Sequence, residues 1–325
     1  MVQTVGLALA TDLVAEEDQP KVVGLMYVML LLGMVVSALV FGTLLENYTP
    51  GRLVQVIQGA AVLTVALNLF ALWKQEARDR VRAQRMRSSE KPQFRDAWAT
   101  LIQVPGMLGL LVVIGLGTFG FGMADVLLEP YGAQALGLTV AETTRLTALL
   151  AGGTLIGFAI ASRVLGTGGD AVLLGRIGAG IGIPGFAAII FSSLAGGPVL
   201  FLIGTVLTGL GAGLFGHATL TAVMRNAPPH QVGLALGAWG AVQATCAGIG
   251  IALAGIVRDV IVGFNAEAGL STHTPYTVVF SIEIVFLVLA GLAFIPLARS
   301  RRMGSGSKAT VPVTGTQRQD AVEVP

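Results

Sequence analysis

One cysteine, Cys246, stands in the whole chain. It lies inside an apolar run, which excludes an intrachain disulfide and any metal site built on several thiolates. Neither CxxC nor HExxH occurs, so the sequence offers no thiol redox pair and no zinc-protease helix. No phosphate loop and no nucleophile beside a base points to an enzyme, and none is expected. Only 12% of the residues are charged, and the formal net charge is +2. The few basic residues sit in loops rather than on one face, so a nucleic-acid partner is not expected. Met1 to Ala10 contains no Lys or Arg and therefore lacks the basic start of a secretory signal.

What the chain has is apolar length. Hydrophobic residues make up 54% of it, glycine contributes 44 positions, and the mean hydropathy is +0.79. That combination belongs to polytopic membrane proteins. A helix needs about 20 apolar residues to cross about 30 Å of hydrocarbon. Val22–Leu45, Leu53–Trp73, Met107–Gln134, Thr143–Val164, Ala171–Leu194, Val199–Met224, Val232–Val257 and Tyr276–Ala298 meet that length. Val2–Val14 supplies about half of it and reads as the end of a ninth span.

The exception to this greasiness is Lys74–Arg95, KQEARDRVRAQRMRSSEKPQFR, with eight Lys or Arg. Loops with an excess of positive side chains stay in the cytoplasm. Placing this connector inside puts every basic residue there except Arg52, Arg145 and Arg258. The expected organisation is a remnant of an N-terminal helical bundle over residues 1–73, a basic cytoplasmic connector over 74–106, a six-helix bundle over 107–303 and a disordered cytoplasmic tail over 304–325, rich in Gly, Ser and Thr.

The chain also repeats itself loosely. The stretch TVGLALATDLVAEEDQPKVVGLMYVM parallels HATLTAVMRNAPPHQVGLALGAWGAV: a helix end, a short loop, then Val-Gly-Leu opening a Gly-rich helix. Helical repeats of this kind build transporter-like folds. Aligning the Val22 helix with the Val232 helix makes the first span the fourth of twelve and leaves three helices absent upstream. Two bundles joined by a long cytoplasmic loop resemble the major facilitator superfamily. Gly157–Arg163 loosely matches that superfamily's loop motif but lacks its Asp-Arg pair. The fold class expected is an all-α polytopic membrane protein of this type, with about nine spans equivalent to helices 4 to 12 of 12.

A narrower resemblance rests on Thr4 with Gly6–Leu13 (GLALATDL), Tyr27–Leu45 (YVMLLLGMVVSALVFGTLL), Ile57–Ala61 (IQGAA), Leu72–Arg78 (LWKQEAR), Asp125–Gly132 (DVLLEPYG) and Gly237–Thr245 (GAWGAVQAT). These stretches resemble the PucC family of bacteriochlorophyll-antenna assembly proteins, from about Thr4 to Arg302. The resemblance implies a factor in the photosynthetic inner membrane of a bacterium that helps light-harvesting antenna polypeptides assemble. It implies (bacterio)chlorophyll as bound or delivered cargo, with no covalent cofactor. The competing expectation is an ion-coupled transporter of a small amphipathic solute.

Four residues are candidates for pigment contact. Asp125 and Glu129, at i and i+4, share one helix face, and Pro130 loosens the helix beside them. At 1.5 Å per residue Asp125 lies about 27 Å from Met107, near the outer interface, where it serves as a hand-over site or as a helix end. His217 is the one histidine inside a span; its imidazole either ligates the magnesium of a chlorophyll or hydrogen-bonds a neighbouring helix. The same rise puts it on the cytoplasmic side, apart from Asp125. Glu283 sits in the last span, which is peripheral in the resembled fold, and either faces a partner or forms a helix contact. Asp12, Lys21, Arg163 and Arg225 fall at cytoplasmic helix ends, where charges cap or brace. Gly115-x-Gly117-x-x-Gly120 has dinucleotide-loop spacing inside an apolar helix and is discounted. Gly153/Gly157, Gly178/Gly182 and Gly209/Gly213 have the spacing of close helix packing instead. Asn47-Tyr48-Thr49 reads as a tight turn before Pro50 rather than a sugar site.

Overall fold

The computed structural model describes residues 19–72, 93–228, 231–269 and 271–306, and the regular structure among them is entirely helical. In chain order the helices are α1 (Gln19–Leu44), α2 (Pro50–Leu72), α3 (Phe94–Gln103), α4 (Met107–Gly122), α5 (Leu128–Leu136), α6 (Val140–Gly166), α7 (Ala171–Phe191), α8 (Gly197–Asn226), α9 (Val232–Ala268) and α10 (Thr274–Gly306). All but α3 and α5 carry segments long and apolar enough to cross a membrane, giving eight candidate spans among the described residues. Val2–Val14 and Asp12 lie outside those residues, as do most of the basic connector and the tail beyond Gly306. The end of the connector, read as charged loop, is the short helix α3.

Helix ends follow local chemistry. Pro50 opens α2 at its first position, where a missing N–H costs nothing, and the Thr49 hydroxyl accepts the Arg52 N–H at 3.1 Å. That is the turn expected of Asn47-Tyr48-Thr49. Thr139 and Glu142 form a reciprocal capping box on α6, and Asp170 accepts the Val172 N–H at 2.8 Å to start α7. At the other end of α6, Arg225 donates to the Leu165 and Gly169 carbonyls at 2.7 and 2.9 Å.

The bundle is centred on α8, which packs against α6 on one side and α7 on the other, while α10 lies on α7 and α4, and α9 on α4. Glycine makes this closeness possible. A Cβ on Gly213 would stand 2.1 Å from the Thr154 carbonyl oxygen, and one on Gly157 2.3 Å from that of Leu210. Gly178 and Gly211 bring α7 and α8 together in the same way. Without a hydrophobic drive between helices in lipid, such backbone approach supplies the packing. Gly117 and Gly120 make room for Phe215 and Leu287, so the discounted glycine triplet serves packing. Helix α1 joins the bundle through α6, whereas α2 presents its apolar residues outward along its whole length.

One expected span departs from its sequence reading. Met107–Gln134 is not one helix: α4 ends at Gly122, a 3-10 turn covers Ala124–Val126, and α5 begins at Leu128. Asp125 lies in the turn and Glu129 in the first turn of α5, so they do not share a continuous helix face. The break comes upstream of Pro130, which sits harmlessly in the first turn of α5. At the end of α7, the π segment Ser192–Gly196 leads into Gly197 at φ +57°.

Candidate functional site

His217 projects from α8 one turn past Gly213, at the seam where α6, α8, α9 and α1 converge. It is 8% exposed, and its ring lies 4.1 Å from that of Phe158 on α6, centroid to centroid. Phe158 stacks on Tyr27 of α1 at 5.8 Å, and Tyr27 meets Trp239 of α9 edge-on at 6.0 Å. The Trp239 indole donates to the Thr219 hydroxyl at 3.3 Å, and Thr219 donates to the Phe215 carbonyl at 2.9 Å. Four helices thus contribute one continuous aromatic wall. The Nδ1 of His217 is enclosed with no hydrogen-bond partner among the described residues.

This arrangement has the chemistry of a planar-ligand seat. Imidazole nitrogen is a versatile metal donor, and aromatic faces stack on flat conjugated rings. The wall also has bare ground beside it: a Cβ built on Gly216, Gly237 or Gly240 would meet no atom within 4 Å. A buried imidazole nitrogen without a partner among the described residues, next to stacked aromatics, is a donor set compatible with a magnesium tetrapyrrole. Of this group sequence reasoning found His217 alone. A usable signal existed: Tyr27 lies four residues after Val23 and Trp239 seven after Val232, in the opening turns of the two repeat-related helices.

Glu283 belongs to a separate centre. It is 0% exposed, and its Oε1 accepts the Ala124 N–H at 2.6 Å, bridging α10 to the break between α4 and α5. Its Oε2 is enclosed without a partner among the described residues. Of the two expected roles, facing a partner or pigment and making a helix contact, its position corresponds to the second: α10 packs on both α7 and α4, and the acid points inward. Asp125 lies close enough to act on its charge but is itself exposed, and the Glu129 carboxylate accepts the Thr147 hydroxyl at 2.8 Å. No contact joins His217 to Asp125, Glu129 or Glu283 among those described.

Beyond Glu283, Tyr131 is fully buried, donates to the Ile189 carbonyl at 3.0 Å and stands 3.1 Å from the Ser192 hydroxyl at the π segment. Phe201, Tyr276 and Phe280 pack edge-on around its ring. Tyr276 donates to Gln134 at 2.7 Å and carries the Arg258 guanidinium over its ring at 5.6 Å. No sequence pattern singled out this belt. Among the helix-end charges, Arg225 braces the α6 terminus and Arg163 sits exposed in the last turn of α6, favourably placed for the helix dipole. Lys21 falls in the first turn of α1.

Comparison with known proteins adds the rest. The family model for PUCC protein matches residues 1–302. Protein PucC of Rhodobacter capsulatus is 63% identical over 303 residues, covering 92% of this chain and 65% of that protein. Protein PucC of Rhodovulum sulfidophilum is 59% identical over 277 residues, covering 85% and 61% respectively. The chain therefore spans a little under two thirds of the length of these relatives. Among solved structures, a bacterial homologue of the human lysosomal transporter Spinster, in an inward-facing and occupied conformation, aligns with a TM-score of 0.60 at 18% identity, over 90% of this chain and 73% of that one. The two chains share an all-helical fold.

Proposed function

The chain belongs to the PUCC protein family, and on that premise we propose that it is an integral membrane assembly factor for light-harvesting antenna complexes, holding (bacterio)chlorophyll for antenna polypeptides without covalent chemistry. The observation that carries this reading is the His217 seat, where an unpartnered imidazole nitrogen lies against a stacked aromatic wall. His217 would hold the pigment's magnesium through its imidazole, Tyr27, Phe158 and Trp239 would offer flat apolar faces, and Thr219 fixes the indole. The pigment, when bound, would supply the magnesium as a Lewis acid for that nitrogen. Because Phe158 abuts the imidazole, occupancy requires its ring to turn aside. The partners are pigment, antenna polypeptides and the bilayer of a photosynthetic membrane, with the connector and C-terminus on the cytoplasmic side. Ion-coupled transport of a small amphipathic solute is the second reading; the buried Glu283 beside a broken helix favours it, since ionisable groups inside spans mark coupling paths.

The test is an absorption spectrum of the protein purified in mild detergent from a pigment-producing host, with His217→Phe alongside. A stoichiometric long-wavelength chlorophyll band that the variant loses supports the proposal. Unchanged pigment stoichiometry in the variant overturns His217 as the ligand. No band, with antenna polypeptides co-purifying, moves the function to protein assembly alone, and no band with no partner moves it to transport.

A further inference from the structure

Helix α3, FRDAWATLIQ, sets Phe94, Trp98, Leu101 and Ile102 on one face, Asp96, Thr100 and Gln103 on the other, and Arg95 at the edge of the apolar face beside Ile102. Only part of the apolar face is used by the protein: Leu101 is 0% exposed against the bundle, while Phe94 is 71% exposed and stacks on the half-buried Trp98 at 6.2 Å. The helix is tied to a membrane span by a rigid link. Val104 donates its N–H to the Leu101 carbonyl, Met107 donates to that of Val104, and Gly106 turns the chain at φ +81°. Asn226, at the end of α8, donates to the Pro105 carbonyl at 3.1 Å and pins the turn to the same end of the bundle. Three residues separate the last residue of α3 from the first of α4. The helix is thereby held beside the start of a candidate membrane span, which begins at Met107.

We propose that α3 is a membrane-surface helix whose Phe94, Trp98 and Ile102 enter the headgroup boundary of the leaflet on the connector's side, with Arg95 meeting lipid phosphate at the edge of that face. Its depth rests on the link to α4, and its polarity matches what the interface selects: aromatic rings that are apolar in body lie level with headgroups, and cationic side chains on the flank meet anionic phosphate. A stacked aromatic pair left in water would keep its apolar area exposed, whereas the headgroup boundary removes it. The sequence immediately before α3 is the densest basic run in the chain, complementary to an anionic leaflet. Anchored in this way, α3 fixes where the connector meets the membrane and holds the turn that positions α4.

The experiment places single nitroxide labels in a Cys246→Ala background at Phe94→Cys, Ile102→Cys and, on the polar face, Thr100→Cys. The full chain is reconstituted in vesicles of phosphatidylcholine with phosphatidylglycerol, and collisions with oxygen and with a water-soluble nickel chelate are measured. The proposal expects labels at 94 and 102 to meet oxygen in preference to nickel, and the label at 100 to show the reverse. Arg95→Glu is expected to shift the label at 102 toward nickel access in these vesicles and not in phosphatidylcholine alone. Nickel access at 94 and 102 equal to that at 100 overturns the proposal, and so does shielding from both reagents, which means protein covers the face. An Arg95→Glu variant without the shift overturns the phosphate contact.

Discussion

Removing the Glu283 carboxyl should open the α4–α5 break before it affects anything else. In the native fold one carboxyl oxygen accepts the Ala124 N–H at 2.6 Å, and the side chain is fully enclosed. Glu283→Leu fills most of the same volume but offers no acceptor, so it isolates the missing bond from the missing atoms. A buried donor stranded in this way costs about 1–3 kcal/mol. Side-chain hydrogen bonds measured inside membranes average nearer 0.6 kcal/mol, with a maximum of about 1.7, because the unfolded helices find other partners. Here the donor is a backbone group at a helix break, which has no equivalent rescue in lipid, so about 1.5–3 kcal/mol is expected. For a bundle of about 200 residues that is a fall in Tm of roughly 3–12 °C at 2–4 °C per kcal/mol. Glu283→Gln keeps an acceptor oxygen at the same reach and should recover most of the loss. Unfolding in detergent is followed by the loss of helical circular dichroism on heating. A Leu variant as stable as the native chain, or a Gln variant as unstable as the Leu variant, would refute the assignment of Ala124 as the partner that matters.

Two further perturbations test the packing and the outer rim. Gly213→Ala puts a methyl 2.1 Å from the Thr154 carbonyl oxygen and should cost roughly 1–3 kcal/mol as α6 and α8 are forced apart. Gly248→Ala, on an open face of α9, should be neutral or stabilising by up to about 1 kcal/mol, so equal losses at both positions would sink the close-approach argument. The Arg145–Glu46 ion pair ties the α1–α2 turn to α6, but its side chains are 41% and 56% exposed. A double-mutant cycle there should return a coupling of about 0.2–1 kcal/mol that falls as salt is raised; a larger coupling that is insensitive to salt would show the pair to be shielded.

Which parts of the molecule were legible in its sequence follows from where the causes lie. Crossing helices are set by the length of an apolar run, a local property, so their positions could be read directly. The glycine pairs at 153/157, 178/182 and 209/213 were legible for a related reason: a helix face without side chains has one profitable use in lipid, and the approach of α8 to α6 and α7 is that use. The break after Gly122 was not legible, because the glycine-rich stretch around it looks the same on both sides and Pro130 marked the wrong position. What fixes the break is Glu283, 159 residues away in sequence, whose carboxyl satisfies a backbone donor that the helix has released. From sequence the same carboxyl could face a partner or make a helix contact, and nothing local decides between them. In the fold it turns inward to a backbone group that no side-chain pattern records. The aromatic wall shows the same limit. His217 stood out as a polar residue in an apolar span, but Phe158, Tyr27 and Trp239 are unremarkable residues within theirs and become a site only when α6, α1 and α9 converge on α8. The repeat relating α1 to α9 was the one sequence feature that anticipated this convergence. Tyr27 of α1 stacks on Phe158 of α6, so a change in the tilt of α1 against α6 acts directly on the stacking beside the His217 imidazole.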